Sequence, residues 1–178
     1  MLRRLRSASI TVLGTAASAV AVLCLGFMML VIVADVTLRA IDPAWRIFGM
    51  LDYVELALGW MIFLAIAATV LGRAWVAVDL ADRLMPATLR IGLRALGLLL
   101  MVGVLALTAW QTVAPALDAR DWGDRTLDLG LPKFWYWVSI WVGLGLAALG
   151  GLLVLPEEIA EGRKLPDPPG TDDGVGRP

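Results

Sequence analysis

Four long apolar stretches, separated by shorter polar segments, dominate the pattern of this chain. A helix of about 20 apolar residues crosses the hydrocarbon core of a bilayer, because it satisfies its own backbone hydrogen bonds where water is absent. The pattern therefore predicts an all-α integral membrane protein with four transmembrane helices in residues 1–164, followed by a disordered tail over 165–178 that is rich in Pro, Gly and Asp. The predicted spans run from about Ile10 to Ala34, Val54 to Leu71, Ile91 to Val113, and Phe134 to Leu155.

The segment from Val76 to Arg90, between the second and third spans, is too polar to cross a membrane. Its pattern is amphipathic: Leu80 and Leu84 can face the acyl boundary while Asp79 and Asp82 face water. We expect a short interfacial helix in this segment.

The first apolar stretch follows Arg3, Arg4 and Arg6, and it contains a small-residue run at Ala17-Ser18-Ala19 that resembles a signal-peptide cleavage site. The apolar run continues for about fifteen residues past that point. Cleavage would leave a stub too apolar to be free and too short to span comfortably, so we expect an uncleaved first helix.

The distribution of Lys and Arg predicts the orientation. With the N-terminus inside, ten of the 15 basic residues flank the inner ends of the spans, and the other five flank the outer ends. Basic residues are retained on the cytoplasmic side. We therefore expect a multi-pass protein of the bacterial inner membrane with both termini in the cytoplasm.

Composition removes several classes of function. The chain is 60% hydrophobic, its mean hydropathy is +0.80 and its formal charge is −1, so it has no basic field to attract nucleic acid. It has no histidine and a single cysteine, Cys24, which argues against haem, iron–sulfur and thiolate zinc sites. Nucleophile–base pairs and glycine-rich phosphate loops are also missing from the sequence. We expect no catalytic residue, no metal and no cofactor.

The middles of the predicted spans contain no ionisable residue and no proline. A carrier of polar solute needs one or the other at that depth, either a charged side chain or a helix broken to expose backbone groups. The sequence therefore predicts that this chain does not hold a solute by itself.

Polar residues near the outer ends of the first two spans are candidates for subunit contacts. Asp35 and Arg39 are spaced to pair on one helix face. Glu55, with Asp52 in the same turn, has two interpretations: it pairs with a basic group on a partner or with Arg39, or it is an acid placed favourably near a helix N-terminus. The outer loop Pro115–Lys133 is either a docking surface or a solvated acidic connection.

Small residues recur at four-residue spacing at Gly14 and Ser18 and again at Ala147 and Gly151. Such pairs allow helices to approach closely in lipid, and they suit either internal packing or docking on a larger protein. Trp141 lies deeper than the aromatic belt, where we expect it to face a partner or lipid.

A set of residues along the chain forms a recognisable order: Asp35-Val36, Leu38-Arg39, Gly49, Glu55, Trp60, Phe63-Leu64, Gly72-Arg73, Val76 to Leu80, Leu84, Pro86, Leu129 to Pro132, Trp135 and Tyr136. This order resembles that of the DctQ-like small membrane subunits of tripartite ATP-independent periplasmic (TRAP) transporters. Where these subunits usually have a histidine and a proline, this chain has Trp75 and Ile140-Trp141.

The resemblance implies a scaffold that braces a large multi-pass subunit, which holds the sodium and substrate sites, while a periplasmic binding protein delivers an organic acid such as a C4-dicarboxylate. From the matched pattern and the local charges, the candidate interface residues are Asp35, Arg39, Glu55, Trp60, Arg73 and Asp79. Two alternatives stay open: an accessory or assembly subunit of another membrane complex, and an autonomous four-helix exporter. Such an exporter is expected to have an acid near the middle of its first helix, which this chain lacks.

Overall fold

The computed structural model describes residues 2–74 and 87–162, and every regular element in those ranges is a helix. The helices are α1 (Leu2–Ile41), α2 (Met50–Leu71), α3 (Ala87–Gln111), α4 (Val113–Asp121) and α5 (Phe134–Gly162). α4 continues from α3 after a turn at Thr112.

Four stretches are long and apolar enough to cross a membrane, which confirms the predicted class of all-α membrane protein. They are Ala8–Ile41, Met50–Leu71, Thr88–Asp121 and Phe134–Glu157. Each predicted span lies inside one of these stretches. The predicted interfacial helix lies largely in residues 75–86, which are outside the described residues. The last four residues of that predicted segment, 87–90, form the start of α3. The predicted tail, 165–178, is also outside the described residues.

The helices form an open row in the order α1, α2, α5, α3. α1 packs on α2, α2 also packs on α5, and α5 also packs on α3. Within residues 2–74 and 87–162, α1 and α3 make no comparable contact with each other. A closed bundle would bring its first and last helices together. Here α1 and α3 are the two edges of the row.

Packing along the row depends on small residues at the helix crossings. A Cβ atom added at Gly143 of α5 would lie 2.3 Å from the Cβ of Phe63 of α2, and one added at Gly151 would lie 2.5 Å from Val102 Cγ2 of α3. At Gly14 of α1 the nearest atom, Leu71 Cβ, would be 3.3 Å away. Lipid offers no hydrophobic gain for helix association, so this close contact is what holds helices together. Gly14, Ala147 and Gly151 thus serve packing within the chain.

α1 buries a single narrow stripe. Among residues 8–41, whose side chains the structure describes, the buried ones are Ile10, Ala17, Ala21, Met28 and Asp35, spaced by seven or four positions. This is the spacing at which one helix follows a single neighbour. The other faces of α1 are exposed, and α3 likewise buries little besides Leu98 among its apolar residues.

α2 lies inside the row but still has an open face. Leu64 packs in a cluster with Ala17 and Ala21 of α1, and Ala67 packs with Ala147 of α5. A third face, which includes Ile62, is exposed. α1, α2 and α3 therefore each present an apolar surface for lipid or for another protein.

Candidate functional site

A group of polar contacts between elements lies where α1 ends and α2 and α5 begin. We call this the outer end, since the distribution of basic residues predicts that it faces the periplasm. Two buried acids, Asp35 and Asp52, organise it.

Asp35 fixes the loop between α1 and α2. Its side chain is 3% exposed; Oδ1 accepts a hydrogen bond from the backbone N–H of Ile47 at 2.8 Å, and Oδ2 lies 2.8 Å from Nε of Arg39. The pairing of Asp35 with Arg39 follows from their spacing. The hydrogen bond to Ile47, twelve positions along, could not be read from the sequence. A buried carboxylate is costly unless it is paired and hydrogen-bonded, and Asp35 is both.

Asp52 joins three elements. Its residue is 5% exposed, and Oδ2 accepts a hydrogen bond from the backbone N–H of Leu129 at 2.8 Å. Its backbone carbonyl accepts a hydrogen bond from the hydroxyl of Tyr136 at 3.0 Å. Asp52 thereby connects the first turn of α2 to the loop after α4 and to α5. Sequence reasoning treated Asp52 as a companion of Glu55 and missed this role.

The loop between α4 and α5 is ordered by its own hydrogen bonds. The N–H of Thr126 donates to the carbonyl of Leu131 at 2.9 Å, and the N–H of Leu131 donates to the Thr126 hydroxyl oxygen at 3.0 Å. The N–H of Lys133 donates to the carbonyl of Asp124 at 3.0 Å. Two apolar side chains project from this segment: Trp122 is 85% exposed and Leu127 fully exposed. The acidic outer loop therefore has a defined conformation, held by hydrogen bonds within the loop.

Glu55 is exposed on α2, and its side chain makes no hydrogen bond or ion pair with any residue in the described part of the chain. Its possible local partner, Arg39, contacts Asp35. A Cβ atom added at Gly59 of α2 would contact Ser139 of α5, and one added at Gly143 of α5 would contact Phe63 of α2. In each pair the α5 residue is 80 positions after the α2 residue. α2 and α5 run in the same direction, so Glu55 lies level with residue 135.

Residue 135 is an exposed tryptophan near the start of α5, at a depth typical of the aromatic belt. We therefore expect Glu55 to lie at headgroup depth, where its charge can remain in a polar environment.

The other candidate interface residues are dispersed. Trp60 packs against the cluster of Ala17, Ala21 and Leu64, midway along the row. Arg73 follows the end of α2 at the inner end with a φ of 52°, in the left-handed region. Asp79 lies outside the described residues. The structure brings Asp35 and Arg39 together and separates Arg73 from them by the length of α2.

Trp141 makes contacts within the chain that its depth alone did not predict. Its indole N–H donates to the hydroxyl oxygen of Thr112 at 3.0 Å, in the turn between α3 and α4. Its ring meets Phe134 edge-on, with centroids 5.9 Å apart. Trp141 thus ties α5 to the outer end of α3.

A groove of about 440 Å³ between α1 and α2 opens near the inner end, lined in part by Thr11, Thr15 and Ser18. The hydroxyls of Thr15 and Ser18 donate to carbonyls four residues earlier, at 2.6 and 2.9 Å, so the helix already uses these donors. Within the described ranges, no group of three or more His, Cys, Asp or Glu side chains could hold a metal ion.

The described helices form an open row of membrane-crossing length with polar contacts near the helix ends, which is an arrangement typical of a membrane-embedded subunit. The chain belongs to the DctQ component of the tripartite ATP-independent periplasmic transporters, whose family model matches residues 28–160, well over half of its length. It is thus a TRAP transporter small membrane component, a non-enzymatic transport subunit. No curated protein and no solved structure is significantly similar to it.

Proposed function

We propose that this chain braces the large membrane subunit of a sodium-coupled TRAP transporter that imports organic acids such as C4-dicarboxylates. The observation that carries the proposal is the placement of charge. In the described spans, every ionisable side chain lies within about two helical turns of a span end, the deepest being Asp35 at the outer end and Arg94 at the inner end. A subunit without a polar site at mid-depth leaves the substrate and the sodium ion to another protein.

The open row supports the bracing role. α1 and α3 each pack mainly on one neighbour, so the row offers two long apolar edges to a partner. A membrane helix binds another through close side-chain packing, and the contact area grows with the length of helix presented. A wide row can therefore hold the fixed part of a large transport subunit while another part of it moves.

The outer end supports an encounter with the periplasmic substrate-binding protein. Trp122 and Leu127 are exposed on the ordered loop between α4 and α5. Exposed apolar side chains with polar neighbours are typical of surfaces that contact other proteins. This proposal requires both termini in the cytoplasm, which the excess of Lys and Arg at the inner end favours.

The experiment is a pull-down of the tagged chain, co-expressed with its large subunit, from mild detergent at raised salt. Recovery of a much larger polytopic protein in near-equal amount is the expected result. Reconstituted vesicles should then take up a labelled organic acid only when the chain, the large subunit and the binding protein are all present and sodium is higher outside. Replacement of sodium by potassium is the control. A chain that purifies alone and transports solute by itself would overturn the proposal.

A further inference from the structure

A cavity of about 250 Å³ lies at the outer end, between the last turn of α1 and the first turn of α2. The side chains that line it differ in character: two arginines, one acid and several apolar residues. They are Arg39, Arg46, Ile47, Phe48, Gly49, Met50, Leu51 and Asp128.

The charged groups of this cavity are accessible to a ligand. Arg39 contacts Asp35 through Nε, and its side chain is still 52% exposed. Arg46 is exposed, and its side chain makes no hydrogen bond or ion pair with residues 2–74 or 87–162. Asp128 on the opposite wall is also exposed. Guanidinium groups bind phosphate through several N–H donors at once.

Both walls are held in place by the buried acids. Asp35 accepts a hydrogen bond from the N–H of Ile47 and forms an ion pair with Arg39. The wall that contains Arg39 and Arg46 is therefore attached to α1. Asp52 accepts a hydrogen bond from the N–H of Leu129, the residue after Asp128. The opposite wall, which contains Asp128, is therefore attached to α2. A site whose walls are already ordered loses less entropy on binding.

The cavity lies at the depth of the lipid headgroups. It is bounded by the ends of two membrane-crossing helices, and apolar side chains around it are exposed, among them Ile41, Trp45, Phe48 and Leu51. Aromatic and aliphatic side chains at this level contact the upper parts of acyl chains. A ligand in the cavity would therefore meet charge at one end and hydrocarbon at the other.

We propose that this cavity binds the zwitterionic headgroup of a phospholipid, with the phosphate between Arg39 and Arg46 and a primary ammonium on Asp128. The charges favour a zwitterion. Two arginines face two carboxylates, those of Asp35 and Asp128, so a headgroup with one negative and one positive group leaves the site balanced. An anionic headgroup without an ammonium would leave Asp128 facing negative charge. A phosphatidylethanolamine fits both walls.

The test is native mass spectrometry of the full chain, purified in mild detergent and offered equal amounts of phosphatidylethanolamine and phosphatidylglycerol. The wild-type chain should retain phosphatidylethanolamine in preference. Arg46→Gln should reduce its retention about tenfold, the loss expected for one charge-assisted hydrogen bond. Asp128→Asn should reverse the preference towards phosphatidylglycerol, because the arginines then outweigh the remaining acid.

Lys133→Gln is the matched control, since it removes a cation at the outer end from the loop that contains Asp128 but outside the cavity, and it should leave retention unchanged. Circular dichroism of each variant separates loss of lipid from loss of fold. Equal retention of the two lipids by the wild-type chain would overturn the proposal. So would an unaltered preference in Asp128→Asn, or displacement of the lipid by millimolar inorganic phosphate, which would make free phosphate the ligand.

Discussion

Gly49 lies directly beneath the side chain of Leu129. A Cβ atom added at Gly49 would be 2.3 Å from Leu129 Cγ, and the φ of Gly49 is 71°, in a region that L residues rarely adopt. The same leucine donates its N–H to Asp52. The start of α2 and the loop before α5 therefore pack this closely because residue 49 has no side chain.

Gly49→Ala should lower the stability of the folded chain by about 2–4 kcal/mol, because it combines a strained backbone with a steric overlap. Gly123→Ala is the matched control: its φ is 69° and it has nothing within 4 Å. The control should cost only about 1 kcal/mol, from the backbone alone. Thermal unfolding in detergent measures both, and equal losses would contradict the importance of the Leu129 contact.

Asp52→Ala should destabilise the outer end by about 1–3 kcal/mol, because the N–H of Leu129 would lose its acceptor in a buried place. Glu55→Ala, one turn along the same helix, should change stability by less than about 0.5 kcal/mol because Glu55 is exposed. Hydrogen exchange should show faster exchange at Leu129 in Asp52→Ala alone. An unchanged rate there would show that the loop is held by its internal hydrogen bonds.

Gly143→Ala should loosen the contact between α2 and α5 at a cost of about 1–3 kcal/mol, since its Cβ would lie 2.3–2.6 Å from the Cβ, carbonyl carbon and carbonyl oxygen of Phe63. Gly145→Ala, on the same helix with nothing within 4 Å, should be neutral or slightly stabilising. Both can be compared by unfolding with a denaturing detergent. A loss in Gly145→Ala as large as that in Gly143→Ala would rule out this crossing as the cause.

The hydrogen bond from Trp141 to Thr112 should contribute about 0.5–1.5 kcal/mol. A double-mutant cycle with Trp141→Phe and Thr112→Val isolates this coupling from the loss of ring area. If the two effects are simply additive, the bond contributes nothing to stability.

Glu55 provides a test of the subunit interface. If it pairs with a basic side chain of the large subunit, Glu55→Gln should weaken recovery of the complex at raised salt without lowering the melting temperature of the isolated chain. Asp118→Asn, an exposed acid of α4, is the control. Full recovery of the complex with Glu55→Gln would mean that Glu55 only interacts with headgroups and water.

The fold class and the four membrane-crossing stretches could be predicted because the length and continuity of apolar runs are local properties of the sequence. The pairing of Asp35 with Arg39 was equally local, since it spans one helical turn. The contact of Asp52 with Leu129 joins positions 77 apart, and that of Trp141 with Thr112 joins positions 29 apart. Such contacts depend on which helices become neighbours, and hydropathy does not encode that order.

The position of Trp141 illustrates the limit. Its depth in the span was readable from its distance to the end of the apolar run, but its direction depends on the side of α5 on which α3 packs. The sequence signal for that side was present in Ala147 and Gly151, whose small side chains mark a helix crossing. It could not say which helix forms the crossing.

The order of the row also determines when the protein can assemble. α1 and α2 emerge from the ribosome in succession and can pair in the membrane at once. Of the described helices α3 follows α2 in the chain, but its principal neighbour in the row is α5, which is made later than α3. Until α5 enters the bilayer, the edges of α2 and α3 that it covers are left to lipid or to the insertion machinery. Synthesis of α5 therefore joins the pair of α1 and α2 to α3 in one unit.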